Sequence, residues 1–502
     1  MGYLIGLDVG NTMVKAALFD ELGRQLAVQT SHGSTHQPRP GHVERSLDEL
    51  WNGAAGAIGA CIDKAGVDPS HVRAVGCTGH GNGLYLVDRE GAPLLGVQSI
   101  DTRAIATAGR LNAEGRGERL RRLNLQTPWP AQSPTLLAWI REHDPETFAR
   151  VGTVLLCKDF ATYCLTGRLG SDYSDMSGAG FLNVTERRYD EAILAEYGLA
   201  DCQALLPALA EPSDIVGHVT AEAAARTGLR EGTPVVAGLF DVVASALGSG
   251  TARVGEASVV AGTWSINQAI LDHPIADDPP FMSSAYEPQR CMAIECSATS
   301  AGNLEWFAGQ FLAGESAAMG ESSPFELWNR LVADVTPARD LPIYHPFLYG
   351  SSTQSDARAG LYGITGAHGR EHILYALYEG VAFEHRRHIE RLREAGGVFH
   401  RVRLCGGGSR SPVLSQLLCD VLEVPIEVAS AEEAGALGAA MAAGVGVGLF
   451  GSLGDAAERM TCVERHYEPQ EHYRDTLHDR YRRYLALCQV MAEAWREMSR
   501  VQ

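Results

Sequence analysis

A short turn near the start of the chain combines a carboxylate with residues that can bind phosphate. In "LIGLDVGNTMVKAALFD" (4–20), Asp8 ends an apolar run, and a Gly-Asn-Thr triplet (10–12) precedes a second apolar run. Glycine lets the backbone approach a ligand, while successive N–H groups and a threonine hydroxyl can cradle phosphate oxygens. A structural hairpin needs only the turn, so Asp8 is surplus to it. Lys15 on the outgoing strand either reaches the phosphates or is a solvated strand residue.

A second stretch about half a chain later repeats this pattern. "ASVVAGTWSINQAILD" (257–272) also has an apolar run, a Gly-polar turn and a second apolar run that ends in Asp. Gly262 and Thr263 correspond to the first two residues of the triplet 10–12. The repeat predicts two similar domains that face a shared cleft and grip a polyphosphate from both sides. Coincidence between two common hairpins is the alternative.

Two further segments carry candidate chemistry. In "AGLFDVVASALGSG" (237–250), Asp241 stands where a strand runs into a helix, so it either caps the helix or accepts a hydroxyl proton. In "LCGGGSRSPVLSQLLCDVLEVPIEV" (404–428), three glycines follow a strand. Such a run lets a flat ring lie against the backbone, although an ordinary strand-helix loop is the alternative.

Short apolar runs alternate with helical patterns around these segments, which indicates an α/β fold. Strands are predicted at 72–79, 84–88, 234–238, 257–262, 401–408 and 425–428. Helices are predicted at 47–64, 302–312, 371–394, 413–423, 433–443 and 470–498, the first with a capping box of Ser46 and Glu49. His385 and His388 are three positions apart on one helix, but Arg386 and Arg387 between them argue against a metal site, so we interpret the pair as part of a solvated helix face.

The composition excludes several classes of protein. The chain has 502 residues, enough for two domains, and a net charge of −19, which argues against nucleic-acid or anionic-membrane partners. Its 11 cysteines form no Cys-x-x-Cys pair, which favours reduced thiols and a cytoplasmic location. The sequence has no P-loop motif, and the G-x-G-x-x-G at 446–451 follows an Ala-rich helix, the wrong context for a dinucleotide fold.

Taken together, the motifs resemble those of the FGGY carbohydrate kinases, members of the actin-like ATPase superfamily. The similar segments occur in the family's order: GLDVGNTMVKAALFD, PGHVERSLDELW, CLTGRLGSDYSDMSGAGFLNV, GLFDVVASALGSG, VVAGTWS, CGGGSRSPVLSQLLCDVLEVPI and EEAGALGAA. The resemblance implies an α/β fold with two actin-like (ribonuclease H-like) ATPase domains around a central cleft. Residues 1–248 would hold the sugar, the first phosphate turn and the catalytic base, and 249–502 the second phosphate turn and the adenosine site.

The resemblance also implies roles for individual residues. Asp241 would be the catalytic base, and Asp8 would help to hold the Mg²⁺ of Mg-ATP through water. The residues implied to contact ATP are Gly10, Asn11, Thr12 and Lys15 in the first turn, Gly262 and Thr263 in the second, and Gly406, Gly407, Gly408 and Ser409 at the adenosine.

Substrate choice should lie in residues 77–103. D-Xylulokinases have Ser-Gly-Gln-Met-His-Gly and a later Trp-Asn-Asp there, whereas this chain has Thr-Gly-His-Gly-Asn-Gly (78–83) and Ser-Ile-Asp (99–101). The Arg-Glu pair of glycerol kinases is also missing from this region. We expect four residues to bind sugar hydroxyls, although a polar glycine-rich turn is the alternative for the first two: His80, Asn82, Asp101 and Asp241.

Other segments resemble the L-xylulose/3-keto-L-gulonate kinase branch, namely AGLFDVV, SAGNLEWF (300–307) and HPFLYGSS (345–352). The resemblance therefore implies an ATP-dependent kinase acting on O5 of a ketopentose, with L-xylulose favoured. D-Xylulose, 3-keto-L-gulonate and erythritol are alternative substrates, and a non-catalytic actin-like nucleotide sensor is the alternative from another class. The expected partners are the sugar and ATP; the sequence allows a homodimer and leaves the oligomeric state open.

Overall fold

The computed structural model describes residues 2–351, 354 and 356–500. In chain order its strands are β1 Tyr3–Val9, β2 Met13–Asp20, β3 Gln25–His32, β4 Val72–Gly79, β5 Leu84–Asp88, β6 Pro93–Val97, β7 Val151–Leu155, β8 Ser171–Asp172, β9 Leu182–Asn183, β10 Arg188–Tyr189, β11 Leu209–Ala210, β12 Ile215–His218, β13 Pro234–Val236, β14 Leu239–Phe240, β15 Glu256–Ala261, β16 Ser265–Leu271, β17 Met282–Glu287, β18 Arg290–Ser297, β19 Ile343–His345, β20 Gly360–Tyr362, β21 Arg401–Cys405, β22 Ile426–Ala429 and β23 Val463–Tyr467. Its helices are α1 Leu47–Ala65, α2 Ile105–Ala113, α3 Arg116–Arg121, α4 Ser133–His143, α5 Pro145–Arg150, α6 Cys157–Thr166, α7 Tyr173–Gly178, α8 Glu191–Glu196, α9 Ala221–Thr227, α10 Asp241–Gly248, α11 Ala301–Phe311, α12 Ala313–Ala318, α13 Pro324–Val332, α14 Arg370–Glu394, α15 Pro412–Leu422, α16 Ala434–Gly446, α17 Leu453–Met460 and α18 Arg474–Ser499.

The chain divides into two compact units. Unit 1 comprises the described residues of Met1–Arg253, Ile270–Ala293 and Ser430–Cys462, and unit 2 those of Val254–Ala269, Ile294–Ala429 and Val463–Gln502. The predicted boundary between residues 248 and 249 and the roles given to each domain stay predictions. Ser352, at the end of the predicted segment 345–352, lies outside the described residues.

The main sheet of unit 1 has the strand order β12-β13-β4-β1-β2-β3. Strands β1 and β2 form an antiparallel hairpin in which Val9 pairs with Val14, and β1 runs parallel to β4. Helix α1 packs beside β2 and β3, and α16 packs on β1 and β4. Because β1 is an almost continuous apolar run, it is buried by these contacts, and only Tyr3 and Asp8 are partly accessible.

Unit 2 repeats this arrangement. Its strands follow the order β23-β22-β21-β15-β16, in which β15 and β16 form a hairpin, β15 runs parallel to β21, and β21 runs parallel to β22. The edge strand β23 is antiparallel to β22, as β12 is to β13 in unit 1. The internal repeat predicted from the two hairpin sequences is therefore present in the fold.

The six predicted helices are present, with ends that differ by a few residues. Ser46 caps α1 by accepting a hydrogen bond from the Glu49 N–H at 3.3 Å, but the Glu49 carboxylate accepts one from the Ser34 hydroxyl instead of closing a capping box. Strand β21 ends at Cys405 rather than at residue 408, because Gly407–Arg410 form a 3₁₀ turn. None of the helices in the described part of the chain combines the length and apolar character that a bilayer crossing requires.

The interpretation of His385 and His388 as solvated is wrong. Their exposed fractions are 0% and 3%, because α14 is covered by α13, α15, α18 and β19. The neighbouring Arg387 misled the prediction; its guanidinium pairs with the buried Glu384 of the same helix at 2.8 Å.

Candidate active site

The first turn is held from behind by side chains distant in sequence. The Gly10 N–H donates to the Met13 carbonyl at 2.9 Å and closes the turn. The Arg45 guanidinium donates to the Gly10 carbonyl at 2.9 Å and to the Asn11 carbonyl, and Gln98 donates to the Asn11 carbonyl at 2.6 Å. Within the described residues, the N–H groups of Asn11 and Thr12 donate to no acceptor, so they remain available to a ligand.

Asp8, at the end of β1, faces two further charged groups. It lies opposite Lys15 in the hairpin, and the Lys15 ammonium forms a 2.7 Å ion pair with Glu433. Burial raises the pKa of Asp8 to about 6; the Lys15 charge opposes this rise and the Glu433 charge adds to it. The Lys15 side chain is 27% exposed and has a carboxylate partner, so it is not simply a solvated strand residue.

Asp241 is the first residue of α10 and does not cap that helix. The N-cap position is Phe240, and no side-chain hydrogen bond caps α10. Burial raises the pKa of Asp241 to about 8, and the negative charge of the nearby Asp8 adds to this rise. The structure therefore brings together two carboxyl groups, of which Asp241 has the higher affinity for a proton, as a group that accepts a hydroxyl proton requires.

Small residues let α16 lie close enough to α10 and β1 to fix both carboxyl groups. A Cβ atom on Gly438 would lie 2.0 Å from the Ala244 carbonyl of α10, and one on Gly435 would lie 3.0 Å from the Asp8 carboxylate. Any larger side chain at these positions would separate the helices. The "EEAGALGAA" segment is therefore a packing surface for the Asp8 and Asp241 region.

A buried charge cluster anchors the other side of the segment that carries Asp241. The Phe240 N–H donates to the Ser174 hydroxyl at 3.1 Å, and that hydroxyl donates to Asp172. Asp172 in turn pairs with the fully buried Lys158 at 2.8 Å. This chain of contacts fixes the backbone immediately before Asp241.

The predicted sugar-binding turn is buried and strained at one residue. Asn82 has a φ of 62°, unusual for a residue other than glycine, and its side-chain oxygen is buried without a hydrogen-bond partner among the described residues. Burial and the Arg45 charge lower the pKa of His80 to about 3, so its ring is neutral. Its Nε2 atom lies 2.7 Å from the Tyr85 hydroxyl, and Nδ1 lies 3.4 Å from the Gly81 carbonyl.

The glycine at position 81 has a steric reason. A Cβ atom there would lie 2.2 Å from the Phe240 ring. A methionine, the residue expected at this position in D-xylulokinases, would displace Phe240 and the adjoining Asp241. The departure from that pattern is therefore coupled to the position of the candidate base.

Asp101 is fully buried and bound to the protein itself. It accepts hydrogen bonds from the Val43 N–H at 2.6 Å and the Arg103 N–H at 2.8 Å, and it pairs with the Arg103 guanidinium at 2.9 Å. Among the four predicted hydroxyl-binding residues, Asp241 is the one with a partly accessible side chain.

Unit 2 contains a separate cavity of about 600 Å³ between its hairpin turn and its glycine run. Gly262 and Thr263 line one part of it, and Gly407 and Gly408 line another. A Cβ atom on Gly407 would meet nothing within 4 Å, so the backbone there is open to a flat ligand. Gly406 and Ser409 lie outside the lining; Ser409 donates to the Gly406 carbonyl at 2.8 Å and so shapes the 3₁₀ turn.

The second turn rests on the N-terminus of α11. The Ala301 N–H donates to the Gly262 carbonyl at 2.8 Å, and the Gly302 N–H donates to the Thr263 carbonyl at 3.3 Å. In the repeat, Gly262 and Thr263 correspond to Gly10 and Asn11 of the first turn. A helix N-terminus carries a partial positive charge, so it suits this position.

A neutral hydrogen-bond network lies behind the second turn. The Asn267 side-chain amide donates to His388 Nδ1 at 2.8 Å and accepts from His385 Nδ1 at 2.9 Å, so the two rings have opposite tautomers. The Ser297 hydroxyl lies 3.2 Å from His388 Nε2, and the Ser300 hydroxyl lies 3.1 Å from His385 Nε2. Burial lowers the pKa of each histidine to about 3, so both stay neutral.

Sequence reasoning missed several residues of these sites. Arg45 was visible in "PGHVERSLDELW", but only the helix cap beside it was interpreted. Asn329 lines the unit 2 cavity, and its side-chain oxygen accepts hydrogen bonds from the Tyr378 and Ser411 hydroxyls at 3.0 and 2.5 Å. No motif pointed to Asn329, because its partners lie 49 and 82 positions away.

Comparisons with known proteins identify one family of relatives over most of the chain. The profile of the FGGY family of carbohydrate kinases, N-terminal domain, matches residues 3–248, and that of the C-terminal domain matches residues 257–447. The chain is 36% identical over 493 residues to the L-xylulose/3-keto-L-gulonate kinase of Escherichia coli (strain K12), covering 97% of each. It is 34% identical over 494 residues to a probable L-xylulose kinase of Pasteurella multocida (strain Pm70), covering 98% of this chain and 99% of that one. The crystal structure of xylulose kinase from Rhodospirillum rubrum matches with a TM-score of 0.90 and 26% identity, covering 98% of this chain and 100% of that one.

Proposed function

The chain belongs to the FGGY family of carbohydrate kinases, and on this premise we propose that it transfers the γ-phosphoryl group of ATP to O5 of a ketopentose, with L-xylulose favoured. The observation that carries the choice of sugar is the 36% identity, over 97% of both chains, to a kinase named for L-xylulose and 3-keto-L-gulonate. The second of these sugars is the alternative substrate, on the same observation.

Asp241 is the proposed catalytic base. Phosphoryl transfer passes through a loose transition state, so the base mainly orients the attacking hydroxyl and takes its proton late. A pKa raised to about 8 by burial and by the Asp8 charge supports this role, because the carboxylate then has enough proton affinity to accept.

The residues His80, Asn82, Asp101 and Asp241 are proposed to form the sugar site, with different roles. Asn82 has a buried oxygen without a donor, so it is proposed to contact the sugar together with Asp241. His80 and Asp101 have protein partners at 2.7 and 2.6 Å, which supports a role in shaping the turn around the sugar.

The unit 2 cavity is the proposed adenosine site. Its volume of about 600 Å³ suits a nucleoside, and its glycines expose backbone against which a purine can stack. Gly406 and Ser409 are proposed to support Gly407 and Gly408 rather than to line the cavity. The two turns are proposed to bind phosphate oxygens, the first through Gly10, the N–H groups of Asn11 and Thr12, and Lys15, and the second through Gly262 and Thr263.

Asp8 is the proposed contact for the magnesium ion of Mg-ATP. Among the described residues, no cluster of three or more His, Cys, Asp or Glu side chains could hold a metal by itself. A single carboxylate fits Mg²⁺, because this ion keeps several waters and takes its other ligands from substrate phosphates. When bound, the ion neutralises the phosphate charge that develops during transfer.

ADP release with a panel of sugars tests the proposal. The panel contains L-xylulose, D-xylulose, 3-keto-L-gulonate, erythritol, glycerol and D-ribulose, and ³¹P NMR of the product identifies the phosphorylated oxygen. We expect the highest kcat/KM with L-xylulose and a product phosphorylated at O5. A clear preference for another member would replace the proposed substrate, and phosphorylation elsewhere on the sugar would replace the proposed acceptor atom.

A further inference from the structure

Arg45 is a buried cation without an acidic partner. Its exposed fraction is 3%, and no carboxylate among the described residues forms an ion pair with its guanidinium. Burial of an unpaired charge is costly, because the protein interior solvates it less well than water does. A bound anion near the guanidinium would compensate this cost, so the groups around Arg45 indicate where such an anion binds.

The guanidinium is directed at the first turn. It donates to the Gly10 carbonyl at 2.9 Å and to the Asn11 carbonyl, residues 35 and 34 positions earlier in the chain. Gly33 leaves room for it, since a Cβ atom there would lie 2.5 Å from the guanidinium. Both hydrogen-bonded carbonyls belong to the turn in which, among the described residues, the Asn11 and Thr12 N–H groups donate to no acceptor.

The second turn offers an internal comparison. There the carbonyls of Gly262 and Thr263 accept hydrogen bonds from N–H groups at the N-terminus of α11, at 2.8 and 3.3 Å. The corresponding carbonyls in the first turn are those that Arg45 binds. One turn is therefore backed by the partial positive charge of a helix, and the other by the full charge of one side chain.

We propose that Arg45 is a positioning residue for the phosphoryl donor. It holds the carbonyls of Gly10 and Asn11 away from the ligand, so that the N–H groups of the turn meet phosphate oxygens, and its charge attracts the polyphosphate. The inference rests on the proposed function, since it assumes that the first turn binds the phosphates of ATP.

Nucleotide binding separates this role from a purely structural one. Isothermal titration with ADP and with adenosine is compared for the wild type, Arg45→Gln and Arg45→Lys, with Arg168→Gln, at an exposed arginine, as the matched control. We expect Arg45→Gln to weaken ADP binding about tenfold or more, since charge-assisted hydrogen bonds are among the strong ones, while adenosine binding changes less than about twofold. Arg45→Lys keeps the charge and should recover part of the ADP affinity.

Steady-state kinetics give a second readout on the same proteins. Arg45→Gln should raise KM for ATP about tenfold and leave KM for the sugar within about twofold.

Equal ADP affinity in Arg45→Gln and the wild type would overturn the inference about Arg45 and leave the proposed function intact. A parallel fall in ADP and adenosine affinity, or no recovery in Arg45→Lys, would make Arg45 a structural residue. If Arg45→Gln does not fold, Arg45→Lys decides: unchanged ADP binding together with a lowered unfolding midpoint overturns the inference. A wild type that phosphorylates no sugar and binds no ADP would refute the proposed function instead.

Discussion

The two glycine turns are alike in backbone and differ in what holds them. In the first, the carbonyls of Gly10 and Asn11 accept hydrogen bonds from a buried guanidinium. In the second, the carbonyls of Gly262 and Thr263 accept them from backbone N–H groups of α11. A single substitution can remove the guanidinium, whereas the helix N-terminus consists of peptide groups that any helical sequence supplies. A point mutation can therefore remove the donor to the turn carbonyls in unit 1, whereas in unit 2 the donors are backbone groups that a side-chain substitution does not remove.

The titratable groups near the two turns also differ. Next to the first turn, burial raises the pKa of Asp8 to about 6 and that of Asp241 to about 8. Behind the second turn, burial lowers the pKa of His385 and His388 to about 3, which leaves both rings neutral. We infer that dependence on pH and charge arises in unit 1, while the unit 2 network contributes geometry and stability.

Replacement of Asp241 by asparagine should have the largest effect. The amide keeps the shape of the side chain but cannot accept the hydroxyl proton, so kcat should fall about 10²–10⁴-fold. Initial rates of ADP release measure this loss, and Asp63→Asn, an exposed carboxylate on α1, is the matched control. A kcat within about threefold of the wild type would remove Asp241 from the role of base and weaken the assignment of proton transfer to unit 1.

The pH profile should show the next largest effect. Asp241 accepts a proton only when it is ionised, and its pKa is about 8 in the free protein. The value of kcat/KM for the sugar, which reports the free enzyme, should therefore rise about tenfold per pH unit below pH 8 and level off above it. A profile that is flat from pH 6 to pH 8 would contradict the raised pKa of Asp241.

Local patterns in the sequence were sufficient for much of the fold. The strand-turn-strand hairpins and the glycine run were predictable because alternating apolar runs and turn residues act over a few positions. Burial of His385 was not predictable from its own helix. It depends on the elements that cover α14, and the ion pair between Arg387 and Glu384 hides a charge that looks solvated in the sequence.

The candidate site shows the same limit. Asp8 and Asp241 stand at strand and helix ends that the sequence marks, so both could be proposed from local patterns. Arg45 could not be connected to the first turn, because its contacts span 35 positions and no periodicity records them. The hydrogen bond that Asp101 accepts from the Val43 N–H, 58 positions away, was hidden for the same reason.

Replacement of Asn267 by leucine should affect stability more than chemistry. The substitution removes the amide that bridges His385 Nδ1 and His388 Nδ1 and leaves the single Ser265 hydroxyl, at 3.0 and 3.2 Å, as the partner of both atoms. A buried polar group that loses its hydrogen bond costs about 1–3 kcal/mol. The urea midpoint should therefore fall well below that of the exposed control Asn52→Leu. The pH profile of kcat/KM should keep its shape, because burial lowers the pKa of each histidine to about 3, below the range of the profile. A shifted profile would contradict the neutral character of the unit 2 network.

The ion pair between Lys15 and Glu433 should have the smallest effect. Its atoms lie 2.7 Å apart, with side chains 27% and 18% exposed, and such partly solvated pairs contribute up to about 1 kcal/mol. Because Glu433 already neutralises much of the Lys15 charge, Lys15→Met should raise KM for ATP by no more than about fivefold. Glu433→Gln releases the ammonium for the phosphates and should leave KM for ATP unchanged or lower it. Equal increases in both variants would mean that the pair acts only in folding, and Lys15 would then have no part in binding ATP.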